Sequence, residues 1–285
     1  MEYTTFLKKQ AQPVIDFPSM WRWIGIGALA GSAICSAAEN QLSAEEKRAG
    51  FVLLFDGATM TGWVDPRESQ PAGTAWTAED GCLKATAKPK ITEDLFTKRT
   101  FRDFELRWEW RISAKGNSGV KYRIQKHFFV LERLPGERFE ATVGRSLDHP
   151  LASRPAKAQD YVAGFEYQMT DNQTNGDALS NLKHTAGALY DMEAPERDAA
   201  KPVGEWNQSR IVVRGKHVEH WLNGVKVVDA DLDSAAVTGS IRTRWAPAPA
   251  MVRMLTEQPV KDCPISLQNH GDEAWFRDIR VRELR

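Results

Sequence analysis

The sequence has few cysteines and no excess of charge of either sign. Three of its 285 residues are cysteine, and none belongs to a CxxC pair, which argues against a zinc site built from cysteine. Lys plus Arg and Asp plus Glu each number 38, so the formal net charge is zero. Because no long-range positive field would attract phosphates, nucleic acid and acidic membrane surfaces are poor candidate partners, and a neutral partner is favoured.

The sequence also lacks a hydrophobic run of the length expected for a transmembrane helix. The apolar stretch within 20–38 covers about fifteen residues, whereas a membrane span needs about 20. It follows Arg22 and ends in small residues at 36–38, which is typical of a cleavable export signal. We therefore predict that residues 1–38 form an export signal, with Met20 as an alternative start, and that the protein is periplasmic or extracellular. A retained membrane anchor is the alternative.

Removal of such a signal would leave Cys82 and Cys263 in a compartment that permits disulfides. Two cysteines of unknown separation leave both states open, a disulfide and two thiols.

Repeats and amphipathic helices are nearly absent, and the chain is instead rich in short alternating segments. No period of 20–50 residues recurs, which excludes propellers and solenoids. A polar linker at 39–50 precedes one predicted domain, 51–285. Candidate strands lie at 51–55, 81–87, 103–113, 118–125, 164–170, 209–215, 217–222, 225–232, 265–270 and 275–284. This pattern predicts an all-β fold of two packed antiparallel sheets.

Turn chemistry and loop length refine this prediction. Asn223-Gly224 lies between two candidate strands and predicts a type I′ hairpin turn. Two stretches, 125–159 and 244–262, show no clear period and are interpreted as long excursions from the sandwich. Long loops in compact domains are usually functional or mobile.

Three candidate strands separate apolar from ionisable side chains with a period of two. In 103–111 the aromatic and leucine positions alternate with Glu and Arg, and in 118–125 Lys121, Arg123 and Gln125 share the polar face. In 164–170, Glu166 and Gln168 oppose Phe165, Tyr167 and Met169. A solvated polar face is the simplest interpretation, but forked donors and carboxylates of this kind also suit sugar hydroxyls in a cleft.

Several short strings, in this order, make the chain resemble the 3-keto-disaccharide hydrolase family. They are LLFDGATMTGW, DFELRWEWRISAKGNSGVKYRI, GFEYQMTDN, TAGALYDM, GEWNQSRIVVRGKHVEHWLNGVKVVD and ISLQNHGDEAWFRDIRVREL. The resemblance implies a concanavalin-like jelly-roll sandwich that acts on glycosides whose glucose ring a partner dehydrogenase has oxidised at carbon 3.

The family strings also imply the residues of the site. They are Asn117, Arg123, Glu166, Gln168, Asp171, Tyr190, Gln268 and His270. One departure concerns the stretch 241–264, which is inserted before the LQxHG string of many relatives and leaves the size of the substrate open.

A carbon 3 ketone acidifies the hydrogen on carbon 2, so a base can remove it and the group on carbon 1 can leave before water adds. We expect Glu166 and His270 to be the base and the acid, in either order. Asn117, Arg123, Gln168, Asp171, Tyr190 and Gln268 are expected to bind substrate. No cofactor is certain, although Glu166 suits a divalent metal. The alternative function is a non-catalytic carbohydrate-binding module, and His217 and His220 are expected to be ordinary surface residues.

Overall fold

The computed structural model describes residues 39–66, 73–88, 90, 92–147, 149, 159–257 and 262–284. The predicted export signal, 1–38, therefore lies outside the described residues and stays a prediction. None of the helices in the described ranges combines the length and apolar character needed to cross a bilayer.

Strands dominate the described part of the chain. They are β1 (Val52–Leu53), β2 (Trp63–Val64), β3 (Trp76–Glu79), β4 (Cys82–Ala85), β5 (Leu95–Thr97), β6 (Phe104–Ile112), β7 (Asn117–Val130), β8 (Gln159–Thr170), β9 (Asn207–Arg214), β10 (His217–Leu222), β11 (Val225–Asp231), β12 (Ser266–Leu267) and β13 (Ala274–Glu283). The helices are α1 (Ala44–Arg48), α2 (Phe139–Ser146), α3 (Gly176–Ser180), α4 (Ala235–Arg244) and α5 (Pro249–Thr256), with a 3-10 turn at Leu182–His184.

Two antiparallel sheets form the sandwich. The larger sheet has the order β11-β10-β9-β6-β13-β4-β3, with β1 also paired to β13, and the smaller sheet has the order β2-β5-β12-β7-β8. The inward faces of β6, β7 and β8 carry the predicted apolar residues, among them Trp108, Tyr122 and Tyr167, all 2% exposed or less. The predicted all-β, two-sheet antiparallel jelly-roll sandwich is confirmed.

The ten candidate strands each contain or overlap a strand of the structure, but three further strands escaped prediction. β2, β3 and β5 are two to four residues long, too short to show an alternation. The expectation of irregular excursions was wrong in part. β7 continues to Val130, α2 follows it, and α4 and α5 occupy most of 235–256. Their apolar faces are narrow: α5 buries Met251 and Leu255, one turn apart.

The interior also holds a histidine that the sequence placed on the surface. His220 is fully buried between the sheets, where Nδ1 donates to the Gly187 carbonyl at 3.0 Å and Nε2 accepts from the Tyr122 hydroxyl at 2.8 Å. Burial lowers the pKa of His220 to about 4, so the ring is neutral. His217 does lie at the surface, beside Asp229 and Asp231.

The two cysteines do not form a disulfide with each other. Cys82 lies in β4 of the larger sheet, and Cys263 packs beside the smaller sheet against Phe96 and Val162. Each thiol points to a backbone carbonyl, that of Asp80 or of Phe101.

The Asn223-Gly224 hairpin turn is confirmed. Both residues have positive φ, 50° and 83°, and they join β10 to β11. The Asn223 side chain also accepts from the Gln208 backbone N–H at 2.9 Å. The turn therefore needs the conformations that asparagine and glycine tolerate best.

We expect Gly224→Ala to lower the free energy of unfolding by about 1 kcal/mol, because alanine resists positive φ. Gly239→Ala in α4 is the matched control, since Gly239 has ordinary helical φ and open space around its Cα. Urea unfolding monitored by tryptophan fluorescence measures both. Equal stability of the two variants would contradict the turn assignment.

Candidate active site

A cavity of about 340 Å³ lies on the face of the smaller sheet that points away from the larger sheet. The outward side chains of β7 and β8 and the residues just after β12 form its floor, the segment 177–192 forms one wall, and α2, α5 and the end of α4 form another. Its polar lining comprises Thr92, Asp94, Asn117, Lys121, Glu140, Asp160, Glu166, Gln168, Asp177, His184, Tyr190, Asp191, Arg244, Gln268, Asn269 and His270.

The register of β7 against β8 sets the floor of the cavity. Lys121 pairs with Glu166 and Gly119 pairs with Gln168, so two charged groups and an amide share one face. Beside them, Ser266 of β12 pairs with Lys121. Since each strand alternates its side chains, the same register sends Val120 and Tyr122 into the core.

Gly119 makes room for the carboxylate of Glu166. A Cβ atom at Gly119 would lie 2.3 Å from Glu166 Oε1 and 2.9 Å from its Cδ and Cγ atoms. The Glu166 side chain therefore lies across the bare backbone of β7. Any larger residue at 119 would displace it, because 2.3 Å is far inside van der Waals contact.

A buried ion pair lies next to Glu166. Lys121 Nζ donates to Asp94 Oδ2 at 2.9 Å, and the Ser266 hydroxyl donates to the same oxygen at 3.0 Å. Burial opposes the charge on Lys121, but Asp94 and Glu166 raise its pKa above the ordinary value. The floor of the cavity thus holds a permanent ammonium group.

The Glu166 carboxylate forms no hydrogen bond or ion pair with another residue that the structure describes. Burial raises its pKa to about 7, partly offset by the positive charge of Lys121. A carboxylate of this kind exchanges protons near neutral pH and suits general acid or base catalysis.

His270 lies at the rim of the same cavity, in the turn after β12. Its side chain is 46% exposed, and Nδ1 is 4.0 Å from Asp272 Oδ2. Surrounding protein lowers the pKa of His270, while Asp272 raises it in part and Lys121 lowers it further. The ring is therefore a second group that can carry a proton to or from a bound molecule.

One wall is a charged cluster centred on His184. Its Nδ1 donates to Asp177 at 2.9 Å and its Nε2 donates to Asp191 at 3.0 Å. Burial opposes protonation, but these two hydrogen bonds raise the pKa of His184 to about 9. The ring stacks on Tyr190, whose hydroxyl donates to Asp177 at 2.9 Å. Both nitrogens of His184 are thus occupied, which makes it a structural cation.

The end of α4 supplies the opposite side of that wall. Arg244, at the end of α4, pairs with Asp191 at 2.8 Å. Its guanidinium lies over the rings of Tyr190 and Trp245, 5.0 and 4.8 Å from their centroids. These contacts fix the arginine against the cavity rather than leaving it in solvent.

Two glutamines leave buried acceptor atoms without protein partners. Gln168 is fully buried and its Nε2 donates to Asn117 Oδ1 at 3.3 Å, but its Oε1 has no partner among the described residues. Gln268 Oε1 is in the same state. Buried polar atoms of this kind are normally satisfied by water or ligand, so both are suited to accept hydrogen bonds from hydroxyl groups.

Six of the eight predicted site residues meet in this cavity. They are Asn117, Glu166, Gln168, Tyr190, Gln268 and His270. The other two predictions were wrong about position. Arg123 has φ 51° at an irregularity where the β7–β8 register shifts, which turns its side chain to Asp103 and the Gly215 carbonyl. Asp171 accepts from backbone N–H groups of Lys115 and Gln173 and stabilises the turn after β8.

The sequence did not identify the cations of the cavity. Lys121 was visible on the polar face of its strand, but nothing local separated it from Arg123. Asp94, Asp177, His184 and Asp191 lie in or beside loops, and Arg244 lies in a segment whose helical character went unrecognised. No period or motif connects these positions.

A divalent metal remains a prediction that the geometry does not strengthen. In the described ranges, three His, Asp or Glu side chains whose ligand atoms lie within 4.8 Å of one another occur at His217, Glu219 and Asp229. That group is outside the cavity, and the ammonium of Lys226 already contacts both carboxylates. In the cavity, Asp94 is bonded to Lys121, and Asp177 and Asp191 to His184.

Comparison with known proteins decides the family. The sequence profile of the 3-keto-alpha-glucoside-1,2-lyase-like domain matches residues 50–282. The chain belongs to this family. It is 29% identical over 249 residues to a 3-keto-disaccharide hydrolase of Bacteroides thetaiotaomicron, covering 82% of this chain and 79% of that protein. The predicted family is confirmed, and with it the class of glycoside-cleaving enzyme.

Solved structures of other proteins confirm the fold of this chain. A predicted glycosyl hydrolase of Parabacteroides distasonis superposes with a TM-score of 0.64 at 25% identity, over 87% of this chain and all of that one. A second from the same organism gives 0.53 at 22% identity, over 82% and 99% of the two chains.

The His184 cluster predicts a pH dependence of stability. Because the folded pKa of about 9 exceeds the unfolded value of about 6.5, the stabilisation is complete below pH 6.5 and is lost as pH rises through 9. We expect the wild type to have a larger free energy of unfolding than His184→Gln. This difference should be on the order of 2–3 kcal/mol larger at pH 6 than at pH 9.5.

Urea unfolding at both pH values measures this difference. His217→Gln is the control, because His217 is at the surface and should change little. A wild-type advantage over His184→Gln that is equal at both pH values would contradict a protonated His184.

Proposed function

We propose that this enzyme cleaves 3-keto glycosides, including 3-keto disaccharides, by removal of the carbon 2 proton, elimination of the carbon 1 substituent and hydration. The observation that carries the proposal is the shared cavity of Glu166 and His270. Glu166 makes no ion pair with another residue that the structure describes, and His270 Nδ1 is 4.0 Å from Asp272. The family match supports the substrate class.

The cavity offers what each step requires. A base near neutral pKa is needed for the carbon 2 proton, and Glu166 has a pKa of about 7. A second proton carrier is needed at the leaving oxygen, and His270 lies at the rim where a leaving group can depart. Acceptors at Gln168 and Gln268 suit the sugar hydroxyls. The chemistry does not use the paired carboxylates of ordinary glycosidases.

The substrate implies an earlier reaction. A glucose ring carries a hydroxyl at carbon 3, so a sugar 3-dehydrogenase must act before this enzyme. We propose that the reaction takes place in the periplasm or outside the cell, on the basis of the signal-like segment at 1–38. Zero net formal charge fits a neutral sugar substrate.

Proton NMR of purified protein with a 3-keto disaccharide tests the reaction. We expect loss of the anomeric signal and the appearance of free 3-keto sugar. Shifted resonances without new products would overturn the proposal and indicate the alternative, a non-catalytic carbohydrate-binding module. A parallel sample with EDTA tests metal dependence: loss of turnover that returns with added divalent metal would establish it.

The two proposed proton carriers give a sharper prediction. We expect Glu166→Gln and His270→Ala each to lower kcat by about 10²–10⁴-fold, because general acid–base catalysis contributes factors of this size. Glu109→Gln and His217→Ala are matched controls on the face of the larger sheet away from the cavity. Cleavage is measured as the amount of product released. Full activity in both site variants would refute the assignment.

A further inference from the structure

We propose that Lys121 is the cation that holds the carbon 3 oxygen as it becomes an enolate, and that Glu166 is the base that removes the carbon 2 proton. The inference rests on the proposed function. It assigns one role to Glu166 and leaves His270 to protonate the leaving oxygen.

The spacing of the two groups fits the substrate. Carbon 2 and carbon 3 are bonded to each other, so the base and the oxygen-binding cation must be close neighbours. Lys121 and Glu166 are direct cross-strand partners on one face of the β7–β8 pair, and such partners have Cβ atoms about 5 Å apart. Two rigid strands therefore hold both groups over adjacent atoms of one ring.

Lys121 keeps hydrogen-bonding capacity for a ligand. An ammonium group has three N–H donors, and Asp94 accepts one of them at 2.9 Å. Its side chain is 9% exposed and lines the cavity. Asp94 is held in turn by Ser266, so the charge is fixed in position before substrate arrives, as electrostatic stabilisation of an oxyanion requires.

Two other cations of the described cavity are paired with carboxylates in its wall. His184 donates from both ring nitrogens to Asp177 and Asp191. Arg244 pairs with Asp191 and belongs to α4 rather than to a strand beside Glu166, and its buried Nε has no partner among the described residues. Lys121 also influences both proton carriers, because its charge lowers the pKa of Glu166 and that of His270.

The step balances without an external reactant. The Glu166 carboxylate takes the proton from carbon 2, the C–H electron pair forms the C2=C3 bond, and the carbonyl pair moves to the oxygen held by Lys121. That pair then re-forms the carbonyl, the C2=C3 pair moves to C1=C2, and the C1–O bond breaks. The leaving oxygen takes the proton of His270 in its imidazolium form, which is the minor form near neutral pH because burial lowers the pKa of this ring.

Hydrogen exchange separates the first half of this step from the second. The probe is 3-keto-1,5-anhydroglucitol in D₂O, a 3-keto sugar whose carbon 1 carries no glycosidic oxygen that could leave. Proton NMR follows replacement of the carbon 2 hydrogen by deuterium. We expect the wild type and His270→Ala to catalyse exchange, and Glu166→Gln and Lys121→Met to lose it by about 100-fold or more.

A second variant is the control for loss of folding. Lys121→Met leaves Asp94 buried without its partner, whereas Lys121→Met with Asp94→Asn removes both charges and leaves no unpaired ion. Circular dichroism confirms the fold of each. Lys84→Met is the matched control, a strand lysine that pairs with Glu79 and Glu273 on the other sheet, and should exchange like the wild type.

The outcomes distinguish the two proposals. If the wild type cleaves a 3-keto disaccharide but the double variant exchanges the carbon 2 hydrogen within threefold of it, the role of Lys121 is overturned and the proposed function stands. If the wild type neither cleaves nor exchanges, the proposed function fails. Loss of exchange in His270→Ala together with full exchange in Glu166→Gln would reverse the assignment of the base.

Discussion

The antiparallel pairing of β7 with β8 is the constraint on which the site depends. It places Lys121 opposite Glu166 and Gly119 opposite Gln168 on one face, while Tyr122 and Tyr167 fill the core behind them. A slip of one residue in either strand would bury that strand's charges and expose its aromatic rings. The hydrophobic core therefore enforces the position of the proposed catalytic groups, although it never touches a substrate.

The site places charges where folding alone would not place them. Glu166 is buried enough to raise its pKa to about 7, and this costs stability at any pH where the carboxylate is ionised. Lys121 and Asp94 form a compensated pair beside it, and the Asp177–His184–Asp191 cluster with Arg244 rigidifies the wall. Groups whose charges neutralise one another thus surround Glu166. Its own carboxylate has no such partner, which leaves it available for a reacting proton.

The sequence predicted the strands of the two sheets better than it predicted the charged residues that line the cavity. Alternation in 103–111 and 164–170 identified the strands and their buried faces, and the family strings identified Glu166, Gln168 and His270. The predicted position of Arg123 was wrong because its positive φ reverses the alternation locally. A period-two pattern in the sequence cannot show such an irregularity. Arg244 depends on a contact with Asp191, which lies in a distant segment of the chain. His184 depends on Asp177 and Asp191, each seven residues away in a stretch without a regular period.

The helical segment between β11 and β12 has a consequence for how such an enzyme can diversify. The proposed reacting groups belong to the sheet and to the turn after it, whereas Arg244, Trp245 and Met251 come from the helical segment of α4 and α5. Chemistry and enclosure are thus carried by separate parts of the chain. Changes in the length of this segment would alter how the cavity is enclosed, while the strands that carry the proposed reacting groups stay the same.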